Sequence, residues 1–236
     1  MTTSRPGDAG FIEAVFSTTS FLGMLGGEDR SALLAACRVQ EFTVGQPIFL
    51  EGGLDERVAV LLSGRVKLEA HAVSGRKVLL GLRGPGDLLG EMRAFDGQGR
   101  SARIGPTDDV VAGVVPMERF RTLVGEHPQI ALAALRVLTG RLREADRRRL
   151  DLGTNDAIGR VCACLLDLAQ QYGTPVRDGV EMASPLTQEE LGTWAGISRP
   201  ATARALRRLR EDGVVEQRGR HLRVNDVTAL VRLADR

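Results

Sequence analysis

The sequence predicts an α+β protein of three consecutive parts: a β-rich domain, a long helix, and a helix-turn-helix followed by a β-hairpin wing. Three observations carry this. Residues 39–115 hold short β-prone runs separated by glycine-containing breaks, the pattern of a small barrel or sandwich. Residues 127–152 read as one helix with a regular apolar seam. Residues 186–224 combine a helix-capping signal, a glycine turn, a basic second helix and a two-strand pattern.

Composition bounds the rest. The 236 residues are 43% hydrophobic and 26% charged, which excludes a disordered chain. No window approaches about 18 consecutive apolar residues, so no transmembrane helix and no membrane partner are expected. The start Met1–Gly10 is polar and lacks the apolar core of a signal peptide, so a soluble, cytoplasmic protein is expected. Cys37, Cys162 and Cys164 cannot make a disulfide framework and form no CxxC metal pair. Net charge is only +2, yet Lys67 and Lys77 are the only lysines among 32 basic residues. Arginine suits bidentate phosphate and guanine contacts, although a GC-rich genome gives the same excess.

In chain order, residues 11–38 read as short helices, with Phe16, Phe21, Leu22, Met24 and Leu25, then Leu33, Leu34 and Cys37 at helical spacing. Strands are expected at Glu41–Leu50, Val58–Leu62, Val66–Val73, Val78–Leu82, Ser101–Ile104 and Val110–Val115. A short helix spans 117–126, and His127–Pro128 opens the long one. In that helix Leu135, Leu138, Leu142, Ala145, Arg149 and Leu152 recur at alternating steps of three and four, with Arg141, Arg143, Glu144, Arg147 and Arg148 around them. The seam can pack on the β domain or on a copy of itself. A helix charged over most of its circumference fits the narrow self-contact better. Gly153–Thr154–Asn155–Asp156 breaks the helix and supplies a new N-cap, a natural hinge. Domains are therefore expected at 1–126, 127–153 and 154–236. The last begins with the amphipathic helix Asp156–Tyr172 and the loop Gly173–Ala183.

Thr187–Gln188–Glu189–Glu190 has capping-box spacing, so a helix starts there and runs to Ala195. Gly196 makes the turn. Ser198 caps the second helix, Pro200 sits in its first turn, where a missing N–H costs nothing, and the helix runs to about Asp212. Val214–Gln217 and His221–Val224 form the wing around Arg218–Gly219–Arg220. Residues 198–223 carry a net charge of +5 inside a nearly neutral chain, as phosphate neutralisation by a double-stranded DNA reader requires.

Leu186–Leu209, LTQEELGTWAGISRPATARALRRL, resembles the DNA-binding signature of the cyclic-AMP receptor protein / fumarate-nitrate regulator (Crp/Fnr) family. The resemblance extends over nearly the whole chain and implies a cyclic-nucleotide-binding-like β-roll, a dimerisation helix and a winged helix-turn-helix. It implies a homodimeric transcription regulator, specific for a pseudo-palindromic operator, with RNA polymerase as a further partner. By it Arg199 and Arg204 reach base edges, Thr187 and Ser198 meet phosphates, and Thr202 and Arg218 complete the DNA-binding set. Pro200 departs from the cyclic-AMP receptor branch of the family, where a glutamate that accepts from cytosine is common, so a target that differs at that base pair is expected.

A second match is Pro85–Gly86–Asp87–Leu88–Leu89–Gly90–Glu91 with Arg100–Ser101–Ala102, which resembles the family's phosphate-binding cassette. The resemblance places Glu91 on a ribose, Arg100, Ser101, Ala102 and the Gly90 amide around a phosphate, and Asp146 near the base. Ala145 offers no hydrogen bond there, and the Glu91–Arg100 gap is one residue short. Cyclic AMP is the leading effector; another nucleotide or anion, or a vestigial pocket in a ligand-independent regulator, stay open. A cyclic-nucleotide-binding module acting through protein contact is the reading from another class. No cofactor is expected beyond the effector. With three cysteines a four-Cys cluster is impossible, and His71, His127 and His221 are isolated in sequence. No nucleophile elbow, HExxH, P-loop or GxGxxG is present, so no enzyme is expected.

Overall fold

A computed structural model describes residues 16–183, 186–219 and 221–234. Met1–Gly10, residues 11–15 of the expected helical stretch and Arg220 of the wing turn lie outside them. The chain forms two compact units, one running to Leu142 without residues 77–79, the other comprising those three residues and everything from Arg143.

The first unit contains α1 (Phe21–Met24), α2 (Gly27–Ala35), β1 (Arg38–Phe42), β2 (Arg57–Ser63), β3 (Val66–His71), β4 (Lys77–Arg83) and β5 (Leu88–Leu89). It continues with α3 (Glu91–Asp96), β6 (Arg103–Pro106), β7 (Val110–Pro116), α4 (Met117–Glu126) and the first half of α5 (Pro128–Thr154). Two antiparallel sheets, ordered β1-β7-β2-β5 and β4-β3-β6, make the β-roll. Strand β2 explains its layering. Val58, Val60 and Leu62 join Phe21, Leu22, Phe120 and Ile130 in a core beneath the helices. Ala59 and Leu61 face the other way, among Phe49, Val66, Ile104 and Val114 inside the roll. Both faces are buried, so this strand reads as a continuous apolar run rather than an alternating one.

The expected strand Glu41–Leu50 is corrected: β1 starts earlier and stops at Phe42. Gln46 N–H turns back to the Thr43 carbonyl at 3.0 Å, and Pro47 has no N–H to offer a ladder. Only Phe49 rejoins, bridging Ile104. On α5, Ile130, Ala133, Ala134 and Val137 are buried in the core, whereas Leu132, Leu135 and Leu142 are exposed. The expected break across Gly153–Asp156 falls at its second half. The helix runs through Gly153 to Thr154, since one glycine costs a helix only about 1 kcal/mol. Asp156 does cap the next helix, its carboxylate accepting from Gly159 N–H at 2.8 Å.

The second unit holds the rest of α5, α6 (Ala157–Tyr172), β8 (Thr174–Val176), β9 (Gly179–Ala183), α7 (Gln188–Trp194), α8 (Arg199–Glu211), β10 (Val215–Arg218), β11 (His221–Val224) and α9 (Val227–Ala234). The expected loop Gly173–Ala183 is instead a hairpin: β9 pairs with β11, Val180 opposite Val224 and Met182 opposite Leu222. The wing is thus half of a four-stranded sheet, β10-β11-β9-β8. Among the described residues no helix is long and apolar enough to cross a membrane.

Candidate functional site

The cassette of the first unit is organised by two arginines. Strand β5 passes into Gly90 at φ 77°, a left-handed conformation, and a Cβ there would lie 2.3 Å from Arg100 Nη1; only glycine fits. The next residue, Glu91, begins α3 with its side chain 5% exposed. Arg141, from α5, donates through Nη1 to Glu91 Oε1 and through Nη2 to the Leu88 carbonyl at 2.8 Å. Arg141 stood among the polar residues flanking the seam; it is the site residue that sequence reasoning missed.

Arg100 lies deeper, its side chain 3% exposed. It donates to the carbonyls of Gly90 at 2.7 Å, Asp55 at 2.8 Å and Arg57, and its guanidinium lies 3.9 Å from the Phe49 ring centroid. Arg100 has no room for solvent, so its donors satisfy the carbonyls that the surrounding loops leave unpaired. Its Nε is buried with no acceptor among the described residues. Burial pushes its pKa down, opposed by nearby Asp55. Burial likewise pushes the Asp87 carboxyl up, offset by the Arg83 charge and by Gly84 N–H at 2.9 Å.

Ser101 is exposed with its hydroxyl 3.7 Å from Met92 Sδ, and Ala102 is buried. Gly90, Glu91 and Arg100 thus come together in one cluster. Asp146 lies in the other unit, exposed and 3.3 Å from Arg149.

The nucleic-acid element of the second unit forms by local rules. Thr187 Oγ1 accepts from Glu190 N–H at 3.2 Å, and Glu190 Oε2 accepts from Thr187 N–H at 2.8 Å, the reciprocal capping box. Ser198 Oγ caps α8 through Ala201 N–H at 3.4 Å, with Pro200 in the first turn. Arg199, Arg204, Arg207 and Arg210 are exposed, and Arg208 is tied to Asp212 at 2.8 Å. Arg199 and Arg204 have no hydrogen-bond or ion-pair partner among the described residues. Arg218 lies in β10, and its side chain is outside the description. Thr202 lies on the inward face of α8. It is 0% exposed, it packs on Gly192, and its hydroxyl donates to the Ser198 carbonyl at 3.1 Å.

The histidines, isolated in sequence, each face a carboxylate: His71 at 2.7 Å from Glu51, His127 at 3.0 Å from Asp29, His221 at 3.6 Å from Glu181. Among the described residues no His, Cys, Asp and Glu cluster can hold a metal. Burial pushes the thiols of Cys37, Cys162 and Cys164 up to about 12.

Comparison with known proteins matches both elements. A cyclic nucleotide-binding domain model fits residues 39–127, and a Crp-like helix-turn-helix domain model fits residues 159–233. A "CRP-like cAMP-activated global transcriptional regulator" of Mycobacterium tuberculosis is 32% identical over 215 residues, covering 90% of this chain and 96% of that one. The "Cyclic AMP receptor protein" of Thermus thermophilus is 34% identical over 171 residues, 72% of this chain and 76% of its own. Among solved structures, a CooA mutant of Carboxydothermus hydrogenoformans superposes with a TM-score of 0.76 at 22% identity, covering 93% and 98% of the two chains, a likeness of fold.

Proposed function

The chain belongs to the Crp/Fnr family of transcriptional regulators, and on that premise we propose that it works as a homodimer on a pseudo-palindromic duplex, with a cyclic nucleotide in the cassette setting its affinity. Its class is that of a DNA-binding regulator, not of an enzyme.

One observation carries the homodimer: the two faces of α5. The β-roll takes Ile130, Ala133, Ala134 and Val137, and the opposite stripe keeps Leu135 56% and Leu142 60% exposed. Covering each leucine stabilises by up to about 1.5–3 kcal/mol, and a second α5 supplies a complementary stripe. Two copies of α8 then address half-sites about 34–36 Å apart, with Arg199 and Arg204 at base edges and Thr187 and Ser198 at phosphates.

For the effector, the supporting features are the Glu91 carboxylate, which suits sugar hydroxyls, and Arg100 Nε, a buried donor that an anionic phosphate oxygen would satisfy. Gly90, Ser101 and Ala102 border that position in sequence. Cyclic AMP is the first candidate, as the relatives' names state for them. The internal bonds of Arg100 and Glu91 favour a second reading, a cassette that braces the roll and a regulator that needs no effector.

Light scattering of the wild type and Leu135→Glu tests the dimer: dimer and monomer respectively are expected, and a dimeric Leu135→Glu protein refutes the seam. Calorimetry against cyclic AMP and cyclic GMP separates the effector readings; binding supports the first, and absence of heat with unchanged duplex affinity supports the second.

A further inference from the structure

The last turns of α5 belong to the same unit as the helix-turn-helix, and one face of them grips its corner. Arg148 sits with its guanidinium 4.6 Å from the ring centroid of Trp194, near the end of α7. It also meets two carboxylates, Glu144 on its own helix and Asp167 on α6, whose Oδ2 is 3.6 Å away, while Arg147 holds Asp167 Oδ1 at 3.2 Å. One turn further along α5, Leu152 lies against the turn between α7 and α8. A Cβ on Gly196 would come within 2.6 Å of Leu152 Cδ2. From α6, Arg160 reaches the Gly196 carbonyl at 3.5 Å.

The choice of tryptophan is informative. Trp194 is 7% exposed, and its indole N–H finds no acceptor among the described residues. A buried unpaired donor costs about 1–3 kcal/mol, a cost that leucine would avoid while packing as well. What leucine cannot supply is an aromatic face for a cation.

We propose that Arg148 is a positioning residue for operator binding. With Leu152 it fixes the α7–α8 corner onto α5, and so sets the direction in which α8 meets DNA. The proposal rests on the reading of two half-sites bound by one homodimer. In such a complex a loose joint harms simultaneous engagement of both half-sites and leaves the contacts of each recognition helix intact.

The test uses the full chain and two duplexes: one selected by the wild type from a random-sequence library, and the same duplex with one half-site scrambled. Arg148→Ala is expected to bind the full site about tenfold more weakly, the scale of a partly desolvated cation–π pair, and the scrambled site within about twofold of wild type. Arg148→Lys, which keeps the cation, recovers most of the loss. Trp194 is the sole tryptophan, so acrylamide quenching of its fluorescence should rise in Arg148→Ala with unchanged circular dichroism. Should Arg148→Ala lose helix content, Trp194→Leu carries the same duplex comparison. A wild type that binds both duplexes equally overturns the two-half-site reading, and this proposal with it. A wild type that discriminates, beside an Arg148→Ala protein that discriminates equally or weakens on both duplexes alike, overturns this proposal alone.

Discussion

Gly192→Ala should wedge the helix-turn-helix apart. The added methyl would stand 2.4 Å from Thr202 Oγ1, 3.5 Å from Thr202 Cβ and 3.4 Å from the Ile197 carbonyl. Ordinary contacts begin near 3.5 Å, so the first distance is short by about 1 Å. Thr202 cannot yield freely, because it is 0% exposed and its hydroxyl is bonded to the Ser198 carbonyl at 3.1 Å. Rotating it away forfeits about 1 kcal/mol of hydrogen bond. Displacing α8 instead costs about 1–3 kcal/mol as overpacking. The expected loss is therefore about 1–3 kcal/mol, confined to the second unit and read by urea unfolding followed through Trp194 fluorescence. Removing the obstacle should reverse it: Gly192→Ala with Thr202→Ala should be less damaged than the two single changes summed, a favourable coupling of about 1 kcal/mol. A Gly192→Ala protein as stable as wild type, or a double variant with no coupling, refutes the close packing of α7 on α8 through this pair.

Three further outcomes follow from the first unit and the thiols. Arg141→Ala strands the Glu91 carboxylate in a nearly closed site and should destabilise the roll by about 3 kcal/mol, with Glu91→Gln in the same background restoring part of it; denaturation curves measure both. Arg57, through its side-chain hydrogen bond, holds the Asp55 carboxyl below its ordinary value of 3.8. A lowered folded-state pKa stabilises above that value and is lost as pH falls through the folded one, so unfolding on acidification below pH 3.8 should be less steep in Asp55→Asn. With their thiols buried and pushed up to about 12, Cys162 and Cys164 should react with a thiol reagent at pH 8 only as fast as the chain unfolds, and the half-buried Cys37 should react before them.

The helix-turn-helix was legible because its signals are local. Thr187, Glu190, Gly196 and Ser198 lie within 12 consecutive residues, and each acts through the backbone nearby. The burial of Thr202 also has a signal in the sequence: it shares a helical face with Leu206 and Leu209, both buried. Position 202 therefore belongs to the inward stripe of α8. Arg141 was illegible for the opposite reason. Its partner Glu91 lies 50 residues away, and an arginine beside an apolar seam looks the same whether it meets water or a buried carboxylate. The hairpin of β8 and β9 escaped because its strands have three and five residues, one containing Pro175, and β9 gains its second neighbour only from β11. The sequence motif puts Arg100 together with Gly90 and Glu91, but no spacing rule shows that three backbone carbonyls claim its donors.

Operator discrimination by Arg204 tests the account most directly. The wild type is measured against its selected duplex and a random duplex over a salt series, beside Arg204→Ala. The account predicts wild-type affinity that falls steeply with salt on both duplexes, and an Arg204→Ala protein that loses about 1–3 kcal/mol on the selected duplex and far less on the random one. An Arg204→Ala protein that separates the two duplexes as well as wild type would contradict it.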